Sequence, residues 1–412
     1  MTTPDTIDTN DGTRRPARKE DFPLLVNIPI AYLDSAASTQ KPATVIDGMK
    51  RFYETSYANV HRGIYDLAQQ ATAQYEDARG KMARFLGAST TEIVFTRSTT
   101  AGINMIARSI VRGLQPGDEM LVTAMEHHSN FVPWQQLAMQ HGLVFKVVNI
   151  TPDDTLDMDD LRAKITAKTK VIAVAHVSNV LGTINPIAEI TRLAHERGAI
   201  VVVDGAQAVG HIPVDVKALD VDVYACSGHK MYGPEGIGVL YAKHDLLARL
   251  EPSEWGGEMV GEVTIEKSTW NELPYKFEPG TPDITQGVGL GIAVDYLVGI
   301  GMTVVRAHEE EIMMYALSRI KEISGIHVLG PADIALRSGA IAFVMDGVHP
   351  HDIAQVLSDA GVAVRAGSHC AHPLHCAKGL SASTRASIGI YTTRDDIDRF
   401  IAALRKAAEL FR

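Results

Sequence analysis

Residues 201–230 contain the feature that most constrains the fold of this chain. Three valines at 201–203 form an apolar, β-branched run that ends in an acid, Asp204. Such a run is typical of a strand buried in an open α/β sheet, and these sheets bind ligands beyond the carboxyl ends of their strands. Small and polar residues follow at 205–207, and a lysine-containing turn follows at 226–230. The stretch therefore predicts a ligand site at the end of a central strand.

Lys230 and Asp204 indicate the chemistry of that site. A lysine behind a small polar turn, within reach of a buried carboxylate, suits a Schiff base with pyridoxal 5′-phosphate (PLP). In that chemistry the acid pairs with the pyridinium nitrogen and keeps the cofactor ring an electron sink. A surface lysine after an ordinary strand is the alternative when these two residues are considered alone.

Strands and helices alternate along most of the chain. Further strands are predicted at residues 92–96, 119–122, 144–149 and 171–176. This alternation predicts an α/β fold with a mostly parallel sheet that helices cover on both faces. Residues 97–102 are predicted to be a turn that leads into a helix from Ile103. A long helical reach is predicted over residues 287–324.

The length of the chain predicts two domains, because 412 residues exceed one typical core. Residues 1–20 lack the apolar residues that would offset the entropy of ordering, and are predicted to form a disordered tail. Residues 21–300 are predicted to form a large PLP-binding domain, the first residues of which can pack on the small domain. Residues 301–412 are predicted to form a smaller α/β domain that carries Cys370.

Composition and charge argue against several classes of protein. The formal net charge of −10 argues against general nucleic-acid binding, which needs a basic face. No stretch reaches ~18 continuous apolar residues, so no membrane span is expected. Three cysteines are too few for a disulfide framework and fit a reducing cytosol, so the expected location is the cytoplasm.

A polar cluster at residues 98–100 is a candidate phosphate site. Ser98, Thr99 and Thr100 lie where a strand meets a helix, and free N–H groups and hydroxyls at such a position can bind an anion. An ordinary helix N-cap is the alternative. Convergence with Ser227 and His229 is what favours a cofactor phosphate.

His127, Asn179 and Gln207 are further candidates around the cofactor. A histidine at a strand end, such as His127, can lie flat on an aromatic ring and move protons, and metal binding or capping by His127 and His128 is the alternative. Asn179 can hydrogen-bond a phenolate oxygen with Gln207 alongside it, or it can simply form a turn.

Residues 365–373 form the second decisive stretch. Cys370 lies in a Gly/Ser/His loop after a predicted strand, where exposure and nearby imidazoles favour the thiolate. Arg365 and Arg385 flank this loop, and the forked guanidinium suits an amino-acid carboxylate. A metal site is the alternative, although its crowded spacing contains no C-x-x-C pair. The residues of that alternative site are His369, Cys370, His372, His375 and Cys376.

Motifs from Ala31 to Leu410 together resemble those of the cysteine desulfurases in the class V aminotransferase group. Within that group the chain is similar to the Suf-type branch and its selenocysteine lyase relatives. The motifs are AYLDSAAS, NVHRGIY, TRSTTAGIN, MEHHSNFVPW, HVSNVLGT, VDGAQAVGH, SGHKMYGPEGIG, FEPGTPD, RAGSHCAHPL and TRASIGIY. The resemblance implies the fold of the PLP-dependent transferases of fold type I.

The resemblance also implies the contacts of the cofactor. Lys230 would form the Schiff base, Asp204 would pair with the pyridinium nitrogen, and His127 would stack on the ring. Asn179 and Gln207 would face the O3′ side of the ring. The residues implied to hold the phosphate are Thr99, Thr100, Ser227 and His229.

On the substrate side, the resemblance makes Cys370 the persulfide-forming nucleophile and Arg385 the clamp on the substrate carboxylate. Arg365, His61 and Arg62 would line the substrate pocket.

Residues 277–281 resemble the family loop that reaches the PLP phosphate of the neighbouring subunit. A homodimer is therefore expected, with Thr281 contacting the cofactor of the partner. Ser368 departs from the family pattern, because many Suf-type members carry a second histidine at this position.

The sequence thus predicts an L-cysteine desulfurase that forms L-alanine and a persulfide on Cys370, with PLP as cofactor and no resident metal. The resemblance adds a small sulfur-acceptor protein of the Suf system, and with it sulfur supply for iron–sulfur cluster assembly. A selenocysteine lyase is an alternative that could share every motif. An aminotransferase is another, although it would have no use for an exposed Cys370. A non-enzymatic metal- or sulfur-binding protein is more remote.

Overall fold

The structure, a computed structural model, describes residues 18–411, so residues 1–17 of the predicted tail lie outside the described residues. Lys19 and Glu20, at the end of that tail, belong to a 3-10 turn. The ammonium group of Lys19 lies 2.6 Å from the carboxylate of Asp396. The predicted tail boundary at residue 20 is therefore too late, because this turn is ordered and the ion pair of Lys19 attaches it to the folded chain.

Helices and strands alternate along the described residues. The strands are β1 (Ala31–Tyr32), β2 (Ile93–Thr96), β3 (Glu119–Thr123), β4 (Val144–Val148), β5 (Thr169–Ala175), β6 (Ile200–Asp204), β7 (Val223–Ser227), β8 (Gly238–Ala242), β9 (Val260–Val263), β10 (Ser268–Trp270), β11 (Ile326–Leu329), β12 (Ala340–Met345), β13 (Val362–Ala363), β14 (Arg365–Gly367) and β15 (Ser383–Ser387). The α-helices are α1 (Pro23–Asn27), α2 (Ala43–Thr55), α3 (Asp66–Leu86), α4 (Thr99–Val111), α5 (Val132–His141), α6 (Met158–Lys164), α7 (Ile187–His195), α8 (His244–Arg249), α9 (Ile284–Ile300), α10 (Met302–Ile320), α11 (Pro350–Asp359), α12 (His372–Ala377) and α13 (Arg394–Leu410).

The larger sheet contains seven strands in the order β2-β8-β7-β6-β5-β3-β4. Strand β8 runs antiparallel to both of its neighbours, and the other neighbouring pairs are parallel. The predicted mostly parallel sheet is confirmed. The reversed direction of β8 was not predicted, since direction is not encoded in the apolar pattern of a strand.

Helices cover both faces of this sheet, which explains the valine run before Asp204. Val202 packs in one apolar core with residues of α4 and α5. Val201 and Val203 pack in another core with residues of α3 and α9. Because successive side chains of a strand point to opposite faces, a strand covered on both faces is apolar throughout.

The second sheet is antiparallel, with the strand order β11-β12-β15-β14. Helices α10, α11 and α13 contribute to its separate apolar core. Ala31 and Leu33 belong to this core, and β1 pairs with β13. Phe22 and Leu25 instead belong to the core of the larger sheet, so the first residues contact both cores. The division at residue 300 stays a prediction.

The predicted helical reach over residues 287–324 consists of two helices. Helix α9 ends at Ile300 and α10 begins at Met302, with a bend of 74° between them. Gly301 lies at the break with a φ of 88°, which glycine adopts without strain. Among the described residues, no single helix is long and apolar enough to cross a membrane, and this bent pair passes that test only when taken together.

Candidate active site

A cavity of about 530 Å³ lies beyond the carboxyl ends of β5, β6 and β7. Open α/β sheets bind their ligands in this position. Residues from both sheets line the cavity, so it lies between the two cores. The predicted site residues that line it are Thr99, Thr100, His127, Asn179, Asp204, Gln207, Ser227, His229, Lys230, Arg365, Cys370 and Arg385.

Three predicted site residues, His61, Arg62 and Thr281, do not line this cavity within the single chain. His61 Nε2 lies 2.9 Å from Glu76, and Arg62 Nε lies 3.0 Å from Glu258. Thr281 is exposed and borders a different cavity. Their predicted roles in substrate and cofactor binding require a second chain and stay predictions.

The start of α4 forms a polar end of the cavity. The N–H of Thr99 donates to the hydroxyl of Ser227 at 2.8 Å, and the two hydroxyls are 2.7 Å apart. The hydroxyl of Thr100 lies 2.6 Å from that of Ser129. A helix N-terminus carries partial positive charge, so these groups together suit a phosphate.

Helix α4 begins at Thr99, earlier than the predicted start at Ile103. The hydroxyl of Ser98 accepts a hydrogen bond from the N–H of Ala101 at 3.2 Å and caps the helix. The polar residues interpreted as a turn are therefore the cap and the first turn of the helix. Gly238 permits this packing, since a Cβ there would lie 2.7 Å from Ser98 Cα.

Asp204 ends β6 as a buried carboxylate, and its Oδ1 accepts a hydrogen bond from the N–H of Ala206 at 2.9 Å. Burial raises the pKa of Asp204, while the Ala206 N–H and the charge of Lys230 oppose this rise. A buried carboxylate is costly unless a cation or a donor faces it. Asp204 therefore favours a ligand that presents a protonated nitrogen.

Lys230 ends a 3-10 turn directly after β7. Gly210 allows the close approach of this turn, because a Cβ at that position would lie 2.7 Å from the Lys230 carbonyl oxygen. Burial lowers the pKa of the Lys230 ammonium, the charge of Asp204 opposes this shift, and that of Arg385 adds to it. A lowered pKa makes the neutral amine, which is both a nucleophile and a base, easier to form.

His127 presents a neutral imidazole to the cavity. Burial lowers the pKa of His127 to about 3, and the charge of Lys230 acts in the same direction. Its Nδ1 accepts a hydrogen bond from the N–H of Ser129 at 3.1 Å, which fixes the ring. The fixed, uncharged ring of His127 suits stacking on an aromatic cofactor. Burial also lowers the pKa of His229 to about 4.

The side-chain amide nitrogens of Asn179 and Gln207 each donate a hydrogen bond to a backbone carbonyl. Asn179 Nδ2 donates to the carbonyl of His369 at 2.7 Å, and Gln207 Nε2 donates to that of Ala36 at 2.7 Å. The remaining Oδ1 of Asn179 is buried and has no hydrogen-bond partner. Because an unpaired buried acceptor is destabilising, Asn179 favours a ligand that donates a hydrogen bond.

Arg365 and Arg385 lie opposite each other on β14 and β15. Both reach Asp34, which accepts two hydrogen bonds from Arg365 at 3.1 and 2.7 Å, while Arg385 Nη2 lies 3.5 Å away. Hydrogen bonding to Asp34 raises the pKa of Arg365, and burial lowers that of Arg385 to about 10. The Nε of Arg385 is buried without a partner. Two guanidinium groups facing one carboxylate leave positive charge for the carboxylate of a ligand.

Cys370 is exposed at the wall of the cavity. Its φ of 56° and the φ of 51° at His369 place two successive residues in the left-handed region, which is unfavourable for side chains with a Cβ. The N–H of His128 donates to the Cys370 carbonyl at 2.7 Å, and Asn179 holds the preceding carbonyl. Contacts from the larger sheet domain therefore hold the cysteine in its strained conformation.

His369, which the sequence pattern placed only in the alternative metal site, also lines the cavity. Its Nε2 lies 3.1 Å from the carbonyl oxygen of Ser383, which can only accept, so Nε2 carries the proton. Its Nδ1 is then an unprotonated acceptor, buried and without a partner. Burial lowers the pKa of His369 to about 3, and Arg385 acts in the same direction. The imidazole next to Cys370 is therefore neutral and hydrogen-bonded to Ser383.

The alternative metal site is not assembled in residues 18–411, where no group of three or more His, Cys, Asp or Glu side chains is placed to hold an ion. His369 and His375 instead share the hydroxyl of Ser383, at 3.2 and 3.0 Å.

Residues 31–400 match the model of the family described as aminotransferase class-V. The match covers most of the chain, and the chain therefore belongs to this family.

Proteins similar to the chain over nearly its whole length are named cysteine desulfurases. A probable cysteine desulfurase of Halalkalibacterium halodurans is 49% identical over 399 residues, which cover 95% of this chain and 98% of the relative. A cysteine desulfurase of Haloferax volcanii is 47% identical, with coverage of 93% and 90%. The solved structure of the cysteine desulfurase CsdA from Escherichia coli has a TM-score of 0.89 at 39% identity, with coverage of 96% and 98%. The apo structure of a cysteine desulfurase from Thermococcus onnurineus has a TM-score of 0.93 at 35% identity, with the same coverage.

These comparisons confirm the predictions of a fold type I α/β enzyme, of cysteine desulfurase activity and of PLP as the cofactor. The residues of the cavity fit this cofactor. Asp204 offers a buried carboxylate to a protonated ring nitrogen, the start of α4 suits a phosphate, and Asn179 has an unpaired acceptor. Lys230 provides an amine that can hold an aldehyde covalently.

Proposed function

We propose that this cavity converts L-cysteine to L-alanine and leaves the removed sulfur as a persulfide on Cys370. The observation that supports this most directly is the exposed thiol of Cys370 on the wall that also holds Lys230 and Asp204. Bound PLP supplies an electron sink for negative charge on the substrate carbon atoms. The remaining tasks of positioning, proton transfer and sulfur transfer fall to the side chains of the chain.

Lys230 is the proposed base that removes the Cα proton of the substrate. Its ammonium pKa is lowered mainly by burial, which makes the basic amine easier to form. Asp204 is proposed to pair with the protonated ring nitrogen of the cofactor. The three hydroxyls of Thr99, Thr100 and Ser227, with His229 nearby, are proposed to hold the phosphate. His127 is proposed to stack on the ring, with Asn179 and Gln207 facing its O3′ side.

Arg385 and Arg365 are proposed to orient the substrate through its carboxylate. Arg385 is buried and has an unpaired Nε, so a carboxylate would supply an acceptor that the structure lacks there. Asp34 holds both guanidinium groups in place and offsets part of their mutual repulsion. An amino acid held in this way would lie between Lys230 and Cys370.

Cys370 is the proposed nucleophile of the sulfur transfer. Its thiolate forms a bond to the substrate sulfur as the Cβ–S bond of the substrate breaks, and the carbon skeleton keeps the bonding electron pair. Protonation of that carbon then gives alanine, so no external oxidant or reductant is needed for this half of the reaction. Burial lowers the pKa values of Lys230 and Arg385, and the charge of Cys370 opposes this lowering at both groups, as expected for groups in one site.

The test of this proposal is to incubate the PLP-loaded protein with L-cysteine and a reductant, and to measure sulfide and alanine. Equal amounts of the two products are expected. L-selenocysteine in a parallel reaction tests the lyase alternative, for which no feature of the cavity argues specifically. Much faster turnover of L-selenocysteine than of L-cysteine would assign the chain to the lyases, and absence of alanine from both would contradict the proposed reaction.

A homodimer with shared sites is also proposed. His61, Arg62 and Thr281 are the predicted site residues that lie outside the cavity of their own chain. Large apolar side chains are exposed around the His61 segment, with Ile64 90% exposed and Tyr65 55% exposed. Contiguous exposed apolar surface is typical of an interface. A second copy would cover it and bring the three residues to the partner's cavity.

Sedimentation tests this assembly. A dimer mass is expected at micromolar concentration, because exposed apolar side chains next to functional residues are buried only in an assembly. Ile64→Asp should weaken the dimer and lower sulfide release together, while Ile265→Asp, a substitution of a residue that is 101% exposed on the β9–β10 hairpin, serves as the comparison. A fully active monomer would contradict the shared site.

Delivery of the sulfur is proposed to use a small acceptor protein, as in Suf-type systems that supply iron–sulfur cluster assembly. Helix α12 begins at His372, two residues after Cys370, and Pro373 restricts the backbone there. A persulfide on this short segment cannot move far, so an acceptor has to approach the cavity. Adding such an acceptor protein to the L-cysteine assay should raise the rate. The cytoplasm is the inferred location, in keeping with three free cysteines in the chain.

A further inference from the structure

One buried arginine connects the two segments that lie outside the cavity. Arg79, on α3, has only 1% of its side chain exposed. It pairs with Glu278, three residues before Thr281, and with Glu76, which in turn contacts His61. The segments that contain His61 and Thr281 are therefore joined through a single charged group.

All five N–H donors of the Arg79 guanidinium have acceptors. Glu76 accepts two hydrogen bonds, at 2.8 and 3.1 Å, and Glu278 accepts two, at 2.6 and 3.0 Å. The carbonyl of Ile93 in β2 accepts the fifth, at 2.8 Å. A forked guanidinium with every donor used fixes the relative position and orientation of its partners.

The surroundings hold this group in place. The guanidinium carbon lies 4.6 Å from the ring centroid of Phe95 and 5.5 Å from that of Tyr275. The N–H of Phe95 also donates to Glu278 at 2.6 Å, which attaches the Glu278 segment to β2. His61 Nε2 lies 2.9 Å from Glu76, and its ring packs edge-on against that of Tyr275. The two segments thus form one unit on α3 and β2.

We propose that Arg79 is a positioning residue for the active site of the partner chain. It holds the His61 and Thr281 segments as a preassembled surface that a second copy receives, and it does not act on the cavity of its own chain. This inference rests on the proposed homodimer with shared sites. A purely structural role for Arg79 would instead damage the chain that carries the substitution.

Mixed dimers separate these two roles. In the first mixed dimer, one chain carries Cys370→Ala and the other carries Arg79→Gln. Its only intact Cys370 lies in the Arg79→Gln chain. The site of that chain receives the His61 and Thr281 segments of the other chain, in which Arg79 is intact. About half of the wild-type activity per dimer is expected.

In the second mixed dimer, a wild-type chain is paired with a chain that carries both substitutions. The site with the intact Cys370 then receives the His61 and Thr281 segments of a chain that lacks Arg79. Its activity should fall roughly tenfold to a hundredfold, because displacing such groups by about 1 Å can cost that much in rate.

Amide hydrogen exchange provides a measurement that does not depend on activity. In the Arg79→Gln homodimer, residues 59–63 and 278–283 should exchange faster together, because both lose the same anchor. Arg84→Gln is the matched control, since Arg84 is exposed on the same helix, and it should change neither activity nor exchange. If Arg79→Gln does not fold, Glu278→Gln removes one charge of the network at constant volume and enters the same mixed dimers.

Equal activity of the two mixed dimers, or a loss confined to the first, would overturn the role proposed for Arg79. That outcome is distinct from failure of the underlying proposals. A wild-type dimer that forms no sulfide and alanine contradicts the proposed reaction, and a wild-type monomer contradicts the shared site. A normal wild-type dimer with no difference between the mixed dimers contradicts only the role of Arg79.

Discussion

Replacing Cys370 with alanine is expected to abolish sulfide release, by more than about a hundredfold, while PLP binding and removal of the Cα proton continue. The physical reason is that the thiol and the cofactor contacts come from different parts of the fold. Lys230 and Asp204 lie at the ends of β7 and β6, whereas Cys370 lies on the loop after β14. Loss of the thiol therefore removes the acceptor of the substrate sulfur and leaves the base in place.

Proton exchange makes this separation measurable. In D2O, the Cα hydrogen of L-cysteine should exchange with solvent in the Cys370→Ala protein, and proton NMR would follow its loss. Cys376→Ala is the matched control, because Cys376 is also exposed and lies on the adjacent α12. That variant should release sulfide at the wild-type rate. Near wild-type sulfide release from Cys370→Ala would mean that another group accepts the sulfur.

Replacing Lys230 with alanine is expected to abolish both sulfide release and exchange of the Cα hydrogen. Loss of a positioned general base typically costs ~10²–10⁴-fold in rate, and the covalent hold on the cofactor is lost as well. The contacts of Asp204 and of the start of α4 remain, so the cofactor should still bind without a covalent bond. Sulfide release and exchange of the Cα hydrogen, which Cys370→Ala separates, should thus be lost together in Lys230→Ala.

Mass spectrometry after borohydride reduction checks the covalent hold. The wild-type chain should carry the reduced cofactor on Lys230, and the Lys230→Ala chain should carry none. Lys230→Arg serves as a second variant, because it keeps a positive charge beside Asp204 and tests whether the fold needs that charge. Cofactor that stays covalently attached in either variant would show that another group holds it. Exchange of the Cα hydrogen at the wild-type rate would show that another group acts as the base.

The cysteine loop shows why part of the site could not be predicted from sequence. Cys370 and the two arginines were identified from their residue types and their neighbours in the chain. Asp34, which accepts hydrogen bonds from Arg365, was not, because it is far from that residue in sequence and its only local signal is an acid after a short strand. The protonation of His369 depends in the same way on the carbonyl of Ser383, which a sequence pattern does not reveal.

The helix boundaries show a similar limit at short range. Helix α3 ends at Leu86 because Gly87 follows it with a φ of 72°, a conformation that depends only on the local properties of glycine. Helix α4 begins at Thr99, before its predicted start, because Ser98 caps it and Gly238 on a neighbouring strand makes room. A cap whose geometry depends on another strand is not visible in the local pattern.

The sequence by itself determined the alternation of strands and helices, the buried central strand, and the residues of most of the cavity wall. These follow from local apolar periodicity and from residue types whose chemistry is independent of the fold, such as Lys230 and Cys370. The tertiary structure alone decided which predicted residues meet in one chain. It placed His61 and Thr281 away from the cavity and joined them through Arg79, because ion pairs and hydrogen bonds between distant segments depend on how the elements pack.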